Sequence, residues 1–122
     1  MSLRAEIIGA IESFVDKGQG NAIPECGGMR IYESPLVGFA SAKDPLYAEL
    51  KQEEVIGSHH RMPQDWIAEA RTVVVYFLPF TRDVVKTNYG EDMSSTEWYL
   101  ARHYGELFND ALRDHVVEVL RK

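Results

Sequence analysis

Apolar side chains return at helical spacing from Trp98 to Leu120, through Ala101, Tyr104, Phe108, Leu112 and Val116, and this stretch constrains the fold most. It predicts an amphipathic helix over 95–121, roughly seven turns at about 3.6 residues per turn. Its start carries the capping-box pattern Ser94-Ser95-Thr96-Glu97, with Ser94 as the expected cap. A stripe that long must be covered by other elements of a layered domain. The apolar and aromatic side chains along it, Trp98, Tyr99, Tyr104 and Phe108 among them, read as core or interface. In an α/β unit such a helix leads into a further strand, and the sequence ends at Lys122. Two readings follow: a helix that packs back on its own domain, or a fragment of something longer.

The remaining elements read as follows. Ile7, Ile11, Phe14 and Val15 make Leu3 to Lys17 an amphipathic helix, with Gly18 as an expected left-handed terminus. Gln19 to Gly28 is glycine-rich and reads as loop. Met29 to Glu33 and Leu36 to Ala40 read as short strands separated by Ser34-Pro35. Asp44-Pro45 signals a helix start running to about Glu54. Val55 to Pro63 is a polar loop, and Pro63 opens a helix through Ala70 with Trp66 and Ile67 facing the core. Thr72 to Leu78 is continuously apolar and β-branched, the pattern of a central strand buried on both faces. Thr81 to Met93 reads as a surface loop. The order predicts an α/β (α+β) fold, a small mixed sheet flanked by helices and closed by the long C-terminal one.

The 122 residues suit a single domain large enough to bury a core without a metal or disulfide. Nineteen acidic against thirteen basic residues give a net charge of −6, and the charges are dispersed. A DNA partner is therefore not expected, since phosphate neutralisation needs a basic face. Cys26 is the sole cysteine, which leaves no intramolecular disulfide and makes a reducing compartment, the cytoplasm, the expectation. No membrane segment is expected, because no apolar run approaches the ~20 residues that cross a bilayer.

Few residues carry chemistry by themselves. His59-His60 is the strongest metal-ligand pattern, and a third or fourth ligand is not spaced beside it. It supports a metal-dependent enzyme only as a third reading. Cys26 has Glu25 as its neighbour, which opposes thiolate formation, so it reads as an inert thiol. The glycines match neither a dinucleotide fingerprint nor a phosphate loop. Glu91, Asp92 and Glu97 already place negative charge at the start of the long helix, which argues against an anion site there.

Two strings carry a resemblance. They are Pro35-Leu36-Val37-Gly38-Phe39-Ala40-Ser41-Ala42-Lys43-Asp44-Pro45-Leu46-Tyr47 and Trp66-Ile67-Ala68-Glu69-Ala70-Arg71-Thr72-Val73-Val74-Val75-Tyr76-Phe77-Leu78-Pro79-Phe80, followed by Ala101-Arg102-His103-Tyr104. Together they resemble the N-terminal region of iron–sulfur proteins related to epoxyqueuosine reductase, a group akin to corrinoid-dependent reductive dehalogenases. The resemblance spans roughly residues 30 to 122 and implies part of a nitroreductase-like corrinoid-binding core. In the full-length family it implies a corrinoid, two 4Fe-4S clusters on a ferredoxin-like module, and tRNA by analogy. The departures are concrete: one cysteine cannot build a cluster, the family's proton donor lies beyond the matched region, and Phe108-Asn109 stands where a Tyr-His pair is frequent. No cofactor is expected within this chain alone.

The sequence thus predicts a cofactor-domain-like module of such a protein, not redox-active by itself, with a C-terminal ferredoxin-like module as its missing partner. His59, His60, Arg61 and Arg102 are its candidate ligand contacts. The alternative is a stand-alone binding or homodimerisation module that uses the apolar face of helix 95–121.

Overall fold

The computed structural model describes residues 2–90 and 92–122. Its class is α+β, with five helices, four short strands and a long C-terminal helix among those residues. The contacts gather into two units, one of residues up to Leu36 plus those from Phe77 onward, the other Val37–Tyr76.

In the first unit, α1 (Leu3–Lys17) starts at Ser2, whose hydroxyl accepts the Ala5 N–H, and buries Ile7, Ile11 and Val15. Gly18 ends it in an extended conformation (φ −68°, ψ 143°), not the left-handed one its sequence position suggests. The glycine is needed for another reason: a Cβ there would collide with the Phe14 carbonyl oxygen. Asn21, buried, then fastens the chain. Its Nδ2 donates to the carbonyls of Val15 (3.2 Å) and Tyr32 (3.0 Å), and its Oδ1 accepts the Tyr32 N–H (2.8 Å).

The glycine-rich stretch read as loop contains β1 (Ala22–Ile23), which pairs antiparallel with β2 (Met29–Arg30). The strand expected over Met29 to Glu33 is therefore shorter, although Ile31 and Tyr32 are buried. An isolated antiparallel bridge joins Tyr32 to Phe80. The segment expected as a surface loop after Phe80 forms α4 (Arg82–Lys86) instead. Thr81 caps it by accepting the Val84 N–H while donating to the Arg30 carbonyl (2.8 Å), and Val84 is fully buried.

The long helix α5 (Thr96–Arg121) forms as its periodicity predicts, with Ser95 rather than Ser94 as its cap. The Ser95 hydroxyl accepts the Trp98 N–H (3.0 Å), and Asn88 Oδ1 accepts the Ser95 N–H (2.8 Å). Ala101, Gly105, Phe108, Leu112 and Val116 form its buried stripe, against α1, β1 and α4. Phe14, Phe108, Tyr32, Phe80 and Trp98 continue this core as a chain of rings with centroids 4.9–6.1 Å apart.

The second unit holds β3 (Leu36–Ser41), α2 (Leu46–Glu49), α3 (Pro63–Trp66) and β4 (Thr72–Phe77), the two strands having their outer ends in the first. Asp44 accepts the Leu46 N–H (2.9 Å), but α2 stops at Glu49 and successive turns follow it to Ile56. The helix expected through Ala70 ends at Trp66, and Trp66 and Ile67 are 72% and 67% exposed rather than in the core. Among the described residues β4 pairs with β3 alone, so the expected mixed sheet is replaced by two separate two-stranded antiparallel ones. Beyond Ala42 and Gly57, no residue of Val37–Tyr76 is buried.

Candidate interaction surface

The β3–β4 register decides what the second unit presents. The Ala42 N–H donates to the Arg71 carbonyl (2.9 Å), just past the end of β3 and just before β4. This sets the antiparallel sense, and stepping back by twos places Ala40 opposite Val73, Gly38 opposite Val75 and Leu36 opposite Phe77. Exposure runs in the same phase on both strands: Leu36, Gly38, Val75 and Phe77 are exposed, Val37, Phe39, Val74 and Tyr76 half-buried.

Because side chains alternate across a strand, Gly38, Ala40, Val73 and Val75 share one face of the second unit. That face contains no polar side chain. Val75 on it is 51% exposed. The expectation that β4 is buried on both faces is thus corrected: its residue types suit a central strand, but among the described residues only β3 pairs with it. At the Ala40 end, the second unit has a shallow apolar recess of about 250 Å³ lined by Ala40, Asp44, Leu46, Tyr47 and Leu50. Leu46 is itself exposed.

His59, His60 and Arg61 lie together in the loop between α2 and α3. Gly57, with φ +127°, shapes this loop: a Cβ there would stand 2.9 Å from His59 Nδ1. The Arg61 guanidinium lies over the exposed Trp66 ring, 5.2 Å from its centroid. Lys51 pairs with Asp65 at 3.9 Å, and Asp65 also accepts the Met62 N–H.

Arg102, the fourth candidate, belongs to the first unit, exposed on α5. There burial raises the Tyr32 hydroxyl above its ordinary pKa; the Glu106 charge adds to this and the Arg102 charge opposes it. Two residues along α5 from Arg102, the Tyr104 hydroxyl donates to Glu25 Oε1 at 2.5 Å. That bond holds the Glu25 carboxyl below its ordinary range and the Tyr104 hydroxyl above its own. Cys26 is half-buried beside Glu25 as a free thiol. Glu91 lies outside the described residues. Among the described residues no group of three His, Cys, Asp or Glu is placed to hold a metal, and no helix is long and apolar enough to cross a membrane.

Reasoning from sequence missed the exposed sheet face and the Glu25–Tyr104 bond. The first has a signal, the uncharged run Thr72 to Phe77, whose composition suits a buried strand; the second joins residues 79 apart and has none. No family model, curated protein or solved structure matches the chain.

Proposed function

We propose that the chain is a cofactor-domain-like module of an epoxyqueuosine reductase-like iron–sulfur protein, acting in the cytoplasm and completed by a further polypeptide surface. The observation that carries this reading is the second unit's lack of a core. The two strings that resemble the family form its β3–β4 pair, which leaves an apolar face open. A unit of about 40 residues does not hold itself together by such a pair; it needs a disulfide, a metal or association. The one cysteine, Cys26, belongs to the other unit.

The residues present do not fit an iron–sulfur cluster, which takes four cysteine ligands. They fit a corrinoid better: His59 and His60 offer imidazole donors, and Arg61 with Trp66 offers a cationic and aromatic contact in the same loop region. In this reading the loop binds and orients the group, and electrons come from a separate cluster-bearing module. Arg102 is a weaker contact candidate on α5. The alternative, dimerisation through the apolar face of helix 95–121, has less support, because Ala101, Gly105, Phe108, Leu112 and Val116 of that face already pack inside the first unit.

Titration of the whole chain with hydroxocobalamin, followed by absorbance, tests the reading. A saturable spectral change that is lost in the His59→Ala/His60→Ala double variant supports it. No change, or one that survives the double substitution, overturns it.

A further inference from the structure

We propose that the recess beside Lys43 and Arg71 binds the phosphate group of a small molecule. The recess lies wholly within the second unit. The inference needs neither a corrinoid nor a cluster-bearing partner.

The recess has a volume of about 470 Å³ and is lined by Lys43, Ala68, Glu69, Ala70 and Arg71. Its two cations come from separate stretches of the chain, and Ala42 brings those stretches together. Ala42 is fully buried. Its N–H donates to the Arg71 carbonyl (2.9 Å), and its own carbonyl accepts from Gln64 Nε2 (2.7 Å). The Lys43 N–H that follows donates to Ser41 Oγ (3.2 Å). Backbone tied in this way is ordered before a ligand arrives, which lowers the cost of binding one.

Three observations point to phosphate. The first is charge without a partner. Among the described residues neither Lys43 nor Arg71 forms an ion pair, in a chain where acidic residues outnumber basic ones nineteen to thirteen. The other two cations of the unit are engaged, Lys51 with Asp65 and Arg61 over the Trp66 ring. Asp44, although next to Lys43 in sequence, accepts the Leu46 N–H and lines a different recess.

The second is the supply of donors. The Ala70 N–H closes a turn onto the Ile67 carbonyl (3.0 Å), while the N–H groups of Ala68, Glu69 and Arg71 have no acceptor among the described residues. The short side chains of Ala68 and Ala70 leave the backbone of this turn approachable. A phosphate group brings three strong acceptor oxygens and nearly two negative charges at neutral pH. The planar fork of an arginine and the point charge of a lysine both suit it. A carboxylate, with one charge, would leave one of the two cations unmatched.

The third is room. The volume falls in the ~300–1,000 Å³ range of small-molecule sites, so the phosphate can carry an organic remainder. Glu69 is the acidic residue of the lining and opposes an anion, which gives the proposal a test of sign: neutralising it should strengthen binding.

The test is titration of the whole isotope-labelled chain with inorganic phosphate at constant ionic strength, followed by amide shifts, with circular dichroism to confirm that each variant is folded. The amides of Lys43 and of Ala68 to Arg71 are expected to shift saturably. Lys43→Ala and Arg71→Ala are each expected to weaken binding about tenfold, the scale of one charge-assisted hydrogen bond. Glu69→Gln is expected to tighten it, and Lys86→Ala, on α4, to leave it unchanged. Acetate is expected to bind more weakly than phosphate. Shifts that do not saturate, or that survive both Lys43→Ala and Arg71→Ala, overturn the proposal. So does weaker binding in Glu69→Gln, or acetate bound as tightly as phosphate. A chain that binds phosphate but not hydroxocobalamin would defeat the cofactor reading alone. One that binds hydroxocobalamin through His59 and His60 but not phosphate would defeat this inference alone.

Discussion

Replacing Asn21 with alanine removes three hydrogen bonds from the first unit's core, and their partners allow the effect to be worked out. Two backbone groups lose the only partner that the structure gives them outside regular elements: the Val15 carbonyl at the end of α1 and the Tyr32 N–H. The Tyr32 carbonyl keeps the bond from Arg30 Nε at 2.6 Å. An orphaned buried backbone group costs ~1–3 kcal/mol, so Asn21→Ala is expected to destabilise by about 2–4 kcal/mol. For a domain of this size that corresponds to a fall in Tm of roughly 10 °C. Urea unfolding followed by far-ultraviolet dichroism measures it directly. Asn21→Asp sharpens the argument, because the carboxylate keeps the acceptor for Tyr32 N–H but loses both donors and buries a charge. It should be at least as unstable at neutral pH and recover part of its stability on acidification, when the protonated carboxyl donates again. A loss below about 0.5 kcal/mol in Asn21→Ala would refute the reasoning.

Gly105→Ala sets two effects against each other. Alanine favours the helix by ~1 kcal/mol, but its Cβ would lie 2.5 Å from the Tyr32 hydroxyl oxygen and 3.0 Å from Cζ. Overpacking of that kind costs ~1–3 kcal/mol, so a net destabilisation is expected, and Tyr32→Phe in the same chain should relieve part of it in a double-mutant cycle. The Asp16 carboxylate sits below its ordinary pKa, chiefly through its 2.7 Å hydrogen bond to Arg30 and also through Ser34. A depressed folded pKa contributes stability that is present above the unfolded value and lost as pH falls through the folded one. Asp16→Ala is therefore expected to lower stability by less than ~1 kcal/mol at neutral pH, the pair being exposed, with the difference vanishing in acid unfolding curves below the carboxylate range.

What could be read in the sequence was what local chemistry decides. α1 and α5 were legible because the spacing of Ile7, Ile11 and Val15, and of Ala101, Phe108, Leu112 and Val116, repeats over many turns. Two of the short elements were not. β1 hides in a glycine-rich stretch, and α4 shows itself only through the Thr81 cap and the single buried Val84. The helix after Pro63 begins at the residue its sequence signals but stops at Trp66, since Trp66 and Ile67 are exposed, and the one signalled by Asp44-Pro45 begins a residue later, at Leu46, and stops at Glu49.

The position of β4 was legible from its β-branched run; its burial was not. Residue types specify that a strand can be covered, whereas what covers it is set by distant sequence or by another chain. The candidate face on Gly38, Ala40, Val73 and Val75 is visible in this light as a mismatch between composition and surroundings. His59, His60 and Arg61 were legible as residue types, but their loop geometry rests on Gly57, whose positive φ no pattern announced.

The central claim is that the first unit closes its own core while the second depends on association. Amide hydrogen exchange on the whole chain tests it most directly. The amides of β4 should exchange about a hundredfold or more faster than those along the buried stripe of α5. Equal protection of the two units would contradict it.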